Sequence, residues 1–169
     1  MSISSETVRK SPTKLTYNEY VLFPDDGKRH EIIDGRHYMN AAPAPRHQAI
    51  SRHIHNQLYQ QFEVKNLGAV IYSPIDVQLS DNDVVQPDLV VVLAENRIIT
   101  QTRIRGVPDL VIEILSPSNR RHDTELKKQL YEQFGVPEYW IVDPDECVVS
   151  RYLLDAAGKF SDAVDFKEA

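Results

Sequence analysis

The sequence predicts an α/β or α+β domain with a mixed central β-sheet. Two observations support this fold class. Apolar runs rich in β-branched residues follow one another from residue 68 onward, as strands of a sheet do. An amphipathic helix then separates the run at 107–116 from the run at 137–143, and strands alternating with a helix indicate this class. The chain has 169 residues, which is enough for one domain with a substantial core.

The first elements along the chain are a short helix and a β-hairpin. Thr16 can cap the helix, and Glu19, three residues later, can complete a capping box. The stretch 29–40 has the pattern of two strands around Asp34 and Gly35, a residue pair typical of tight hairpin turns. We therefore expect an N-terminal helix followed by a hairpin.

Two longer helices are expected, and each has one apolar stripe. The first covers 44–66, and the members of its stripe recur at every fourth position: Ile50, Ile54, Leu58 and Phe62. The second covers 123–135, with a stripe formed by Leu126, Leu130 and Phe134. Gly135 can end the second helix in the left-handed conformation, and Pro137 prevents the helix from continuing.

The remaining apolar runs predict the strands of the sheet. These runs are 68–79, 84–93, 107–116, 137–143 and 147–154. Residues 1–14 are polar, and we expect them to form a disordered tail. Residues 15–169 are then expected to form a single domain.

Composition excludes several classes of protein. The single cysteine, Cys147, excludes an intramolecular disulfide framework and a cysteine-rich zinc site. No apolar run is long enough to span a membrane, and the first residues lack the apolar core of a signal peptide, so a cytoplasmic protein is expected. The net charge of -6 argues against a protein that coats nucleic acid with its whole surface. Basic clusters at 96–105 and 118–128 leave two alternatives, a local nucleic-acid patch or an ordinary solvated face.

Two acidic residues stand in unusual places. Glu113 lies in the middle of an apolar strand, where an unpaired charge is costly. Asp88 lies at the start of another apolar strand. If the two strands are neighbours, the two carboxylates can lie close together and form an all-oxygen site suited to Mg²⁺ or Mn²⁺. Taken singly, Glu113 can also be a core acid held by hydrogen-bond donors, and Asp88 can be an ordinary strand-start residue.

Asp109 is a competing partner for Glu113, because it also follows a proline. The two residues share a face by the two-residue period of a strand. However, they are four residues apart, which is roughly 13 Å at the rise of a strand and too far for one metal ion. We therefore favour Asp88 as the partner of Glu113 and interpret Asp109 as a strand-start residue.

A lysine can complete such a site by orienting water and offsetting negative charge. Residue 115, which faces the same way as Glu113, is a leucine and cannot serve. Lys127 lies on one ridge of the second long helix with Asp123 and Tyr131, at the border of the buried face. It could therefore reach the strand, whereas Lys128 is expected to point to solvent. Taken alone, Lys127 would be interpreted as a surface lysine of the helix.

These residues fall within a longer stretch that resembles a known family. The stretch "VPDLVIEILSPSNRRHDTELKKQLYEQFGVPEYWIVDP" (107–144) strongly resembles the Uma2 family, a group of restriction-endonuclease-like proteins abundant in cyanobacteria. The upstream stretches "HEIIDGRHYM" and "QPDLVVV" fit the same family in the same order. The likeness runs from about residue 15 to 155. It implies the PD-(D/E)xK nuclease fold, a mixed sheet flanked by helices.

The resemblance also implies the roles of individual residues. The family pattern places the metal ligands at Asp88 and Glu113. The lysine of the usual E-x-K signature is absent, and the matching family position is Lys127 on the helix. Glu31 falls on an acidic family position and is expected to support the metal through water, with a strand acid opposite Arg36 as the alternative. His47 matches a frequent family position.

The expected function is that of a nuclease dependent on Mg²⁺ or Mn²⁺ that hydrolyses phosphodiester bonds, with DNA as the expected substrate. Asp88 and Glu113 would hold the metal, Lys127 would position or activate the attacking water, and Glu31 would support them. Many nucleases of this superfamily pair to cut two strands, so the resemblance also implies a homodimer. The rival interpretation is a non-catalytic descendant that uses the fold for binding or dimerisation. The acidic net charge and the missing E-x-K lysine favour that rival.

Overall fold

The computed structural model describes residues 14–40, 42–117 and 120–167. Its helices are α1 (Tyr17–Tyr20), α2 (Pro45–Phe62) and α3 (Lys128–Phe134), and a π-helical segment, His122–Lys127, runs directly into α3. In chain order the strands are β1 (Arg29–Ile33), β2 (Arg36–Asn40), β3 (Gly68–Tyr72), β4 (Val77–Gln78), β5 (Val84–Val85), β6 (Leu89–Leu93), β7 (Ile104–Arg105), β8 (Leu110–Ile114), β9 (Glu138–Asp143), β10 (Val148–Leu153) and β11 (Val164–Lys167).

The strands form two mixed sheets, where the sequence predicted one. The smaller sheet has the order β2-β1-β5-β4-β7, and the larger has the order β11-β10-β9-β8-β6-β3. The predicted strands 68–79 and 84–93 each divide between the two sheets. Pro74 and Pro87 stand at the two breaks. A proline cannot donate to a strand ladder, so each predicted strand ends there and continues in the other sheet.

The N-terminal elements are confirmed. Thr16 caps α1, and its backbone N–H donates to the Glu19 carboxylate at 2.8 Å. β1 and β2 form the predicted hairpin, with positive φ at Asp34 and Gly35, as a tight turn of this kind requires. The short strand β7 and the outer strand β11 were not predicted, because neither segment has a clear alternating pattern.

The larger sheet separates two apolar cores. On one face it packs against α2, whose predicted stripe lies in this core together with Leu110, Ile112 and Ile114 of β8. On the other face it packs against α3 and the smaller sheet, and Val111 of β8 belongs to this second core. Side chains alternate along a strand, so Glu113 points into the second core, between the sheets. This alternation places a carboxylate at the centre of the molecule.

The predicted tail at residues 1–14 lies outside the described residues, except for Lys14. Lys14 is exposed, and its ammonium group pairs with Asp34. None of the described helices is long and apolar enough to cross a membrane.

Candidate active site

Four of the residues selected from the sequence lie buried together between the two sheets. Glu31 belongs to β1, Asp88 precedes β6, Glu113 belongs to β8, and Lys127 ends the π-helical segment. Each has at most 2% of its surface exposed. Charged side chains are rarely buried to this degree unless they are paired. Their mutual contacts therefore decide what the cluster can do.

Asp88 and Glu113 lie side by side on neighbouring strands. β6 and β8 are antiparallel, with Leu89 opposite Ile112, so extending the register by one residue sets Asp88 opposite Glu113. Asp88 Oδ2 also accepts a hydrogen bond from the backbone N–H of Ile114 at 2.8 Å. Opposed residues of an antiparallel pair share one face. Burial, with the nearby Asp88 and Glu31 adding to it, raises the pKa of Glu113 in spite of Lys127.

Lys127 bridges the two sheets. Its Nζ lies 2.8 Å from Glu31 Oε1 and 2.9 Å from Glu113 Oε1. Tyr131, one turn further along, donates its hydroxyl to Glu113 Oε1 at 2.8 Å. Burial alone would lower the pKa of Lys127, but the carboxylates of Glu113 and Glu31 outweigh burial and raise it. The contact predicted between Lys127 and Glu113 is present, and the lysine is held as an ammonium ion.

Glu31 is the most fully bonded acid of the cluster. Besides Lys127, it accepts hydrogen bonds from the backbone N–H of Gln86 at 2.7 Å and from Asn40 Nδ2 at 2.9 Å, and His122 Nε2 lies 3.2 Å away. Burial would raise the pKa of Glu31, but Lys127 and His122 lower it to about 2.

The alternative explanation of Glu31, a strand acid opposite Arg36, is wrong. Tyr38 is the residue opposite Glu31 in the hairpin, and Arg36 is opposite Ile33. Glu31 therefore faces the buried cluster and not the hairpin surface.

Asp88 is held by three donors. Arg29 Nη1 lies 2.7 Å from Asp88 Oδ1, while Oδ2 is contacted by His47 Nε2 at 3.0 Å and by the N–H of Ile114. Burial would raise the pKa of Asp88, but His47 and Arg29 lower it. His47 fell on a family position, whereas no sequence signal separated Arg29 from an ordinary arginine at the start of a strand.

Asp123 is a second residue whose importance sequence reasoning missed. Its carboxyl group is completely buried, and neither oxygen has a hydrogen-bond partner in the described part of the chain. The nearest cation is Lys127, whose Nζ lies 3.8 Å from Asp123 Oδ1. Burial and the neighbouring Glu113 raise the pKa of Asp123 to about 8. Its place on the ridge of Lys127 was visible in the sequence, but its burial was not.

Asp109 lies where the sequence indicated. Its Oδ2 accepts hydrogen bonds from the N–H of Leu93 at 2.8 Å and from Asn96 Nδ2 at 3.0 Å. These contacts lie at the end of β6 opposite to Asp88. Asp109 is therefore a strand-start residue that fastens the neighbouring turn.

The expectation that Lys128 points to solvent is wrong. Lys128 is half-buried, and its Nζ lies 3.9 Å from the centre of the Tyr152 ring. Tyr152 lies on β10, which the larger sheet brings beside α3. A cation over an aromatic face is attracted by the ring's negative face, so Lys128 fastens α3 to the sheet.

The two basic clusters are partly occupied by internal contacts. Arg103 Nε donates to Gln78 Oε1 at 2.8 Å, Arg120 pairs with Asp143, and Arg121 pairs with Glu125. Residues 118 and 119 lie outside the described ranges. Both alternatives for these clusters, a local nucleic-acid patch or an ordinary solvated face, stay predictions.

A cleft reaches the buried cluster from the surface on the Asp88 side. Its volume is about 350 Å³, and Asp88, Arg29, Lys28, His47, Gln48 and Gln86 are among its lining residues. Glu113 and Lys127 do not line it. A ligand that enters the cleft therefore meets Asp88 and Arg29 first.

The cluster suits a divalent cation in charge and in donor type. Its four buried carboxyl groups face two cationic side chains, and one of those carboxyl groups has no hydrogen-bond donor in the described part of the chain. Its candidate metal ligands, Asp88 and Glu113, are the hard oxygen donors that Mg²⁺ and Mn²⁺ prefer. Within the described ranges, no three His, Cys, Asp or Glu side chains are grouped as a metal site. A cation here would have two carboxylate ligands, an arrangement common for Mg²⁺ when a phosphate completes the shell.

Comparisons with known proteins identify the family and the fold of this chain. The sequence model of the family described as "Uma2: Putative restriction endonuclease" matches residues 17–167. A crystal structure described as "a putative nuclease belonging to DUF820 from Anabaena variabilis ATCC 29413" matches with a TM-score of 0.75 and 21% sequence identity, over 91% of this chain and 85% of that chain.

A second solved structure, the type IIG restriction endonuclease BpuSI, has a TM-score of 0.42 and 12% identity, over 66% of this chain and 12% of that chain. No curated protein matches the sequence. The family match spans nearly the whole described chain. The Anabaena variabilis crystal structure has the same fold as this chain. The chain therefore belongs to the Uma2 family, and its mixed α/β fold is that of the Anabaena variabilis structure.

Proposed function

We propose that this protein is a nuclease that hydrolyses phosphodiester bonds with the help of Mg²⁺ or Mn²⁺, and that DNA is its substrate. One observation carries the proposal: three carboxylates and one ammonium group, from four separate segments, meet in the core beside a surface cleft. Such a cluster costs stability, since desolvating charges is expensive. A functional role explains why it is there.

Asp88 and Glu113 would hold the cation. When bound, it would neutralise charge on a phosphodiester and make a water molecule more acidic. The cleft admits a phosphate to the Asp88 side of the pair.

Lys127 is a positioning residue in this arrangement. Because the surrounding carboxylates raise its pKa, it keeps its proton at neutral pH and does not serve as a base. Its ammonium group holds Glu113 in place and supplies positive charge near the reaction. Glu31 holds Lys127 in turn, at 2.8 Å. This refines the expectation that Lys127 positions or activates water.

The second candidate is a non-catalytic binding or dimerisation module. The ion pair between Arg29 and Asp88 favours it, because Asp88 already has a cationic partner at 2.7 Å. The same contact is compatible with a nuclease if a divalent cation can displace the guanidinium group.

A cleavage assay separates the two candidates. Plasmid, linear duplex DNA, single-stranded DNA and RNA are incubated with the protein in Mg²⁺, Mn²⁺ or EDTA. We expect cleavage of DNA with a divalent cation, and its loss in EDTA and in Glu113→Gln. The control is Glu125→Gln, which removes an exposed carboxylate that pairs with Arg121, four residues earlier in the chain. If none of the four substrates is cleaved with either ion, the result would support the non-catalytic module.

We propose that the protein is a homodimer, because many nucleases of the PD-(D/E)xK superfamily pair to cut two strands. Light scattering of the purified protein at micromolar concentration tests this, and a monomer mass with and without DNA would contradict it.

A further inference from the structure

Arg29 is the one guanidinium group that touches a proposed metal ligand in the described part of the chain. It is the first residue of β1, and its side chain is 13% exposed. Its Nη1 donates to Asp88 Oδ1 at 2.7 Å. Its Nε is buried and has no hydrogen-bond partner in the described ranges. The guanidinium group is therefore only partly satisfied where it lies.

The two oxygens of Asp88 are held in different ways. Oδ2 accepts from the backbone N–H of Ile114, a donor fixed by β8, and from His47 on α2. Oδ1 accepts from Nη1 at the end of the long side chain of Arg29. Oδ1 is thus the oxygen that can exchange one positive partner for another while the carboxylate keeps its orientation.

A divalent cation bound between Asp88 and Glu113 needs that oxygen. Glu113 Oε1 already accepts from Lys127 and Tyr131. On Asp88, Oδ2 is held by Ile114 and His47, so Oδ1 is the oxygen through which Asp88 can bind the cation. A guanidinium group and a divalent cation at one oxygen repel each other in a buried, low-dielectric site. The two therefore cannot both occupy Oδ1.

The cleft provides space for the displaced side chain of Arg29. Arg29 and Asp88 line the same cleft of about 350 Å³, together with Gln86. A guanidinium group presents several donors in a plane and matches a phosphate in two-point contacts. In the cleft, Arg29 would offer to a phosphate the donors it now directs at Asp88, and its unpartnered Nε would gain an acceptor.

We propose that Arg29 and the divalent cation compete for Asp88 Oδ1, so that cation binding releases Arg29 into the cleft, where it binds the phosphate of the nucleic acid. This rests on the proposed function, since it assumes that Asp88 and Glu113 take a cation. Arg29 would therefore have two roles. It neutralises Asp88 before the cation binds, and it binds the phosphate of the substrate after the cation has bound.

Isothermal titration with Mn²⁺ at neutral pH tests the competition. Arg29→Ala removes the competitor, and we expect it to bind Mn²⁺ at least about tenfold more tightly than the wild type. The matched control is Lys28→Ala, which removes the same charge from an adjacent residue lining the same cleft but pairing with Asp26. We expect it to change the affinity less than about threefold. Equal tightening in both variants would show a general charge effect and overturn the proposal.

The remaining outcomes separate this proposal from the proposed function. If Glu113→Gln abolishes Mn²⁺ binding while Arg29→Ala leaves it unchanged or weaker, the metal site stands and the competition is refuted. If neither the wild type nor Arg29→Ala binds Mn²⁺, the metal-dependent function fails, and the competition fails with it.

A measurement on the wild-type protein removes any dependence on how the variant folds. Phenylglyoxal modifies accessible arginines, and peptide mass spectrometry reports the extent of modification at each one. We expect saturating Mn²⁺ to raise modification of Arg29 at least about threefold, because release into the cleft exposes the guanidinium group. Exposed Arg52 on α2 serves as the internal reference and should not change. Unchanged or reduced modification of Arg29 would overturn the proposal.

Discussion

At the scale of single residues, the site is a set of charges held in balance by short contacts. Lys127 is buried between the carboxylates of Glu31 and Glu113, each within 3 Å of its ammonium group. Removing one partner of a buried pair leaves the others uncompensated, and the lost pairing then costs more than the pair contributed. We therefore expect Lys127 to be important for the stability of the fold.

The first prediction concerns Lys127→Met, which keeps the length of the side chain and removes its charge. We expect it to lower the free energy of unfolding by about 3–5 kcal/mol, because Glu31 and Glu113 are left facing each other without a cation. Adding Glu31→Gln to this variant should recover at least about 1 kcal/mol, since one of the unpaired charges is then gone. Urea denaturation measures both. A Lys127→Met protein as stable as the wild type would contradict the buried ion pairs.

The second prediction concerns the pH dependence of stability due to Asp123. Its pKa is raised to about 8 in the folded protein by burial and by Glu113, whereas it is near its ordinary value in the unfolded chain. Between about pH 4 and pH 8 the folded state therefore binds more protons at Asp123, and stability falls as pH rises. Asp123→Asn removes this loss. We expect its stability advantage over the wild type to grow by about 1 kcal/mol per pH unit from pH 5 to pH 8.

Urea denaturation of both proteins at each pH measures the effect, and the comparison cancels the titration of groups that do not interact with Asp123. The effect of Glu31 on stability has the opposite pH dependence, because its pKa is lowered to about 2. Its stabilising contribution is complete at pH values above the ordinary pKa of a glutamate and is lost as the pH falls toward 2. An Asp123→Asn advantage that is the same at pH 5 and pH 8 would show that Asp123 is ionised throughout.

At the scale of elements, the π-helical segment and α3 deliver the site residues from one ridge. Asp123, Lys127 and Tyr131 all point toward Glu113 or its partners, while Leu130 and Phe134 anchor the helix in the core. The helix ends at Gly135, whose φ is 76°. This left-handed residue lets the chain turn directly into β9, which lies beside β8 and its Glu113.

The third prediction tests this helix end. A Cβ at Gly135 would meet only Leu154 Cδ2 at 3.9 Å, so space is not limiting and the cost is that of the backbone conformation alone. We expect Gly135→Ala to lower the free energy of unfolding by about 1 kcal/mol. Gly135→Asn should cost less, because asparagine tolerates the left-handed region better than alanine. Thermal or urea unfolding measures the order, and equal stability of the alanine variant and the wild type would contradict it.

At the scale of the whole molecule, the site lies at the junction of two sheets. Glu31 comes from the smaller sheet, while Asp88 and Glu113 come from the larger one, and Lys127 contacts a carboxylate from each. A ligand that binds the folded site and not the unfolded chain must stabilise the whole fold by mass action. Cation binding should therefore be visible in global unfolding.

The fourth prediction is that Mn²⁺ at a concentration about 100-fold above its Kd raises the melting temperature by about 5 °C or more, since binding at that level is worth about 2.7 kcal/mol. Glu113→Gln should abolish the rise, because a neutral amide is a weaker metal ligand. Glu125→Gln should keep it, since that exposed residue lies outside the site. Differential scanning calorimetry at neutral pH measures all three. A melting temperature that does not respond to Mn²⁺ in the wild type would favour the non-catalytic module.

The sequence by itself determined the main elements and three members of the cluster. The helices, the hairpin and most of the strands follow from local patterns, because the periodicity of apolar residues reports the face that each element buries. Glu113 and Asp88 stood out because an acidic residue in an apolar run is anomalous. The spacing along the helix placed Lys127 at the border of the face that packs on the same core. These inferences need only neighbouring residues in the chain.

The tertiary structure alone decided the division of the strands into two sheets, the half-burial of Lys128, and the partners of the acids. Arg29 and Asp88 are 59 residues apart in the chain, and His47 and Asp88 are 41 apart. No local pattern records which distant side chain will meet a buried carboxylate, since that depends on how the sheets pack. The same packing buries Asp123 with no hydrogen-bond donor among the described residues, and it places Arg29 on the oxygen that a cation would need.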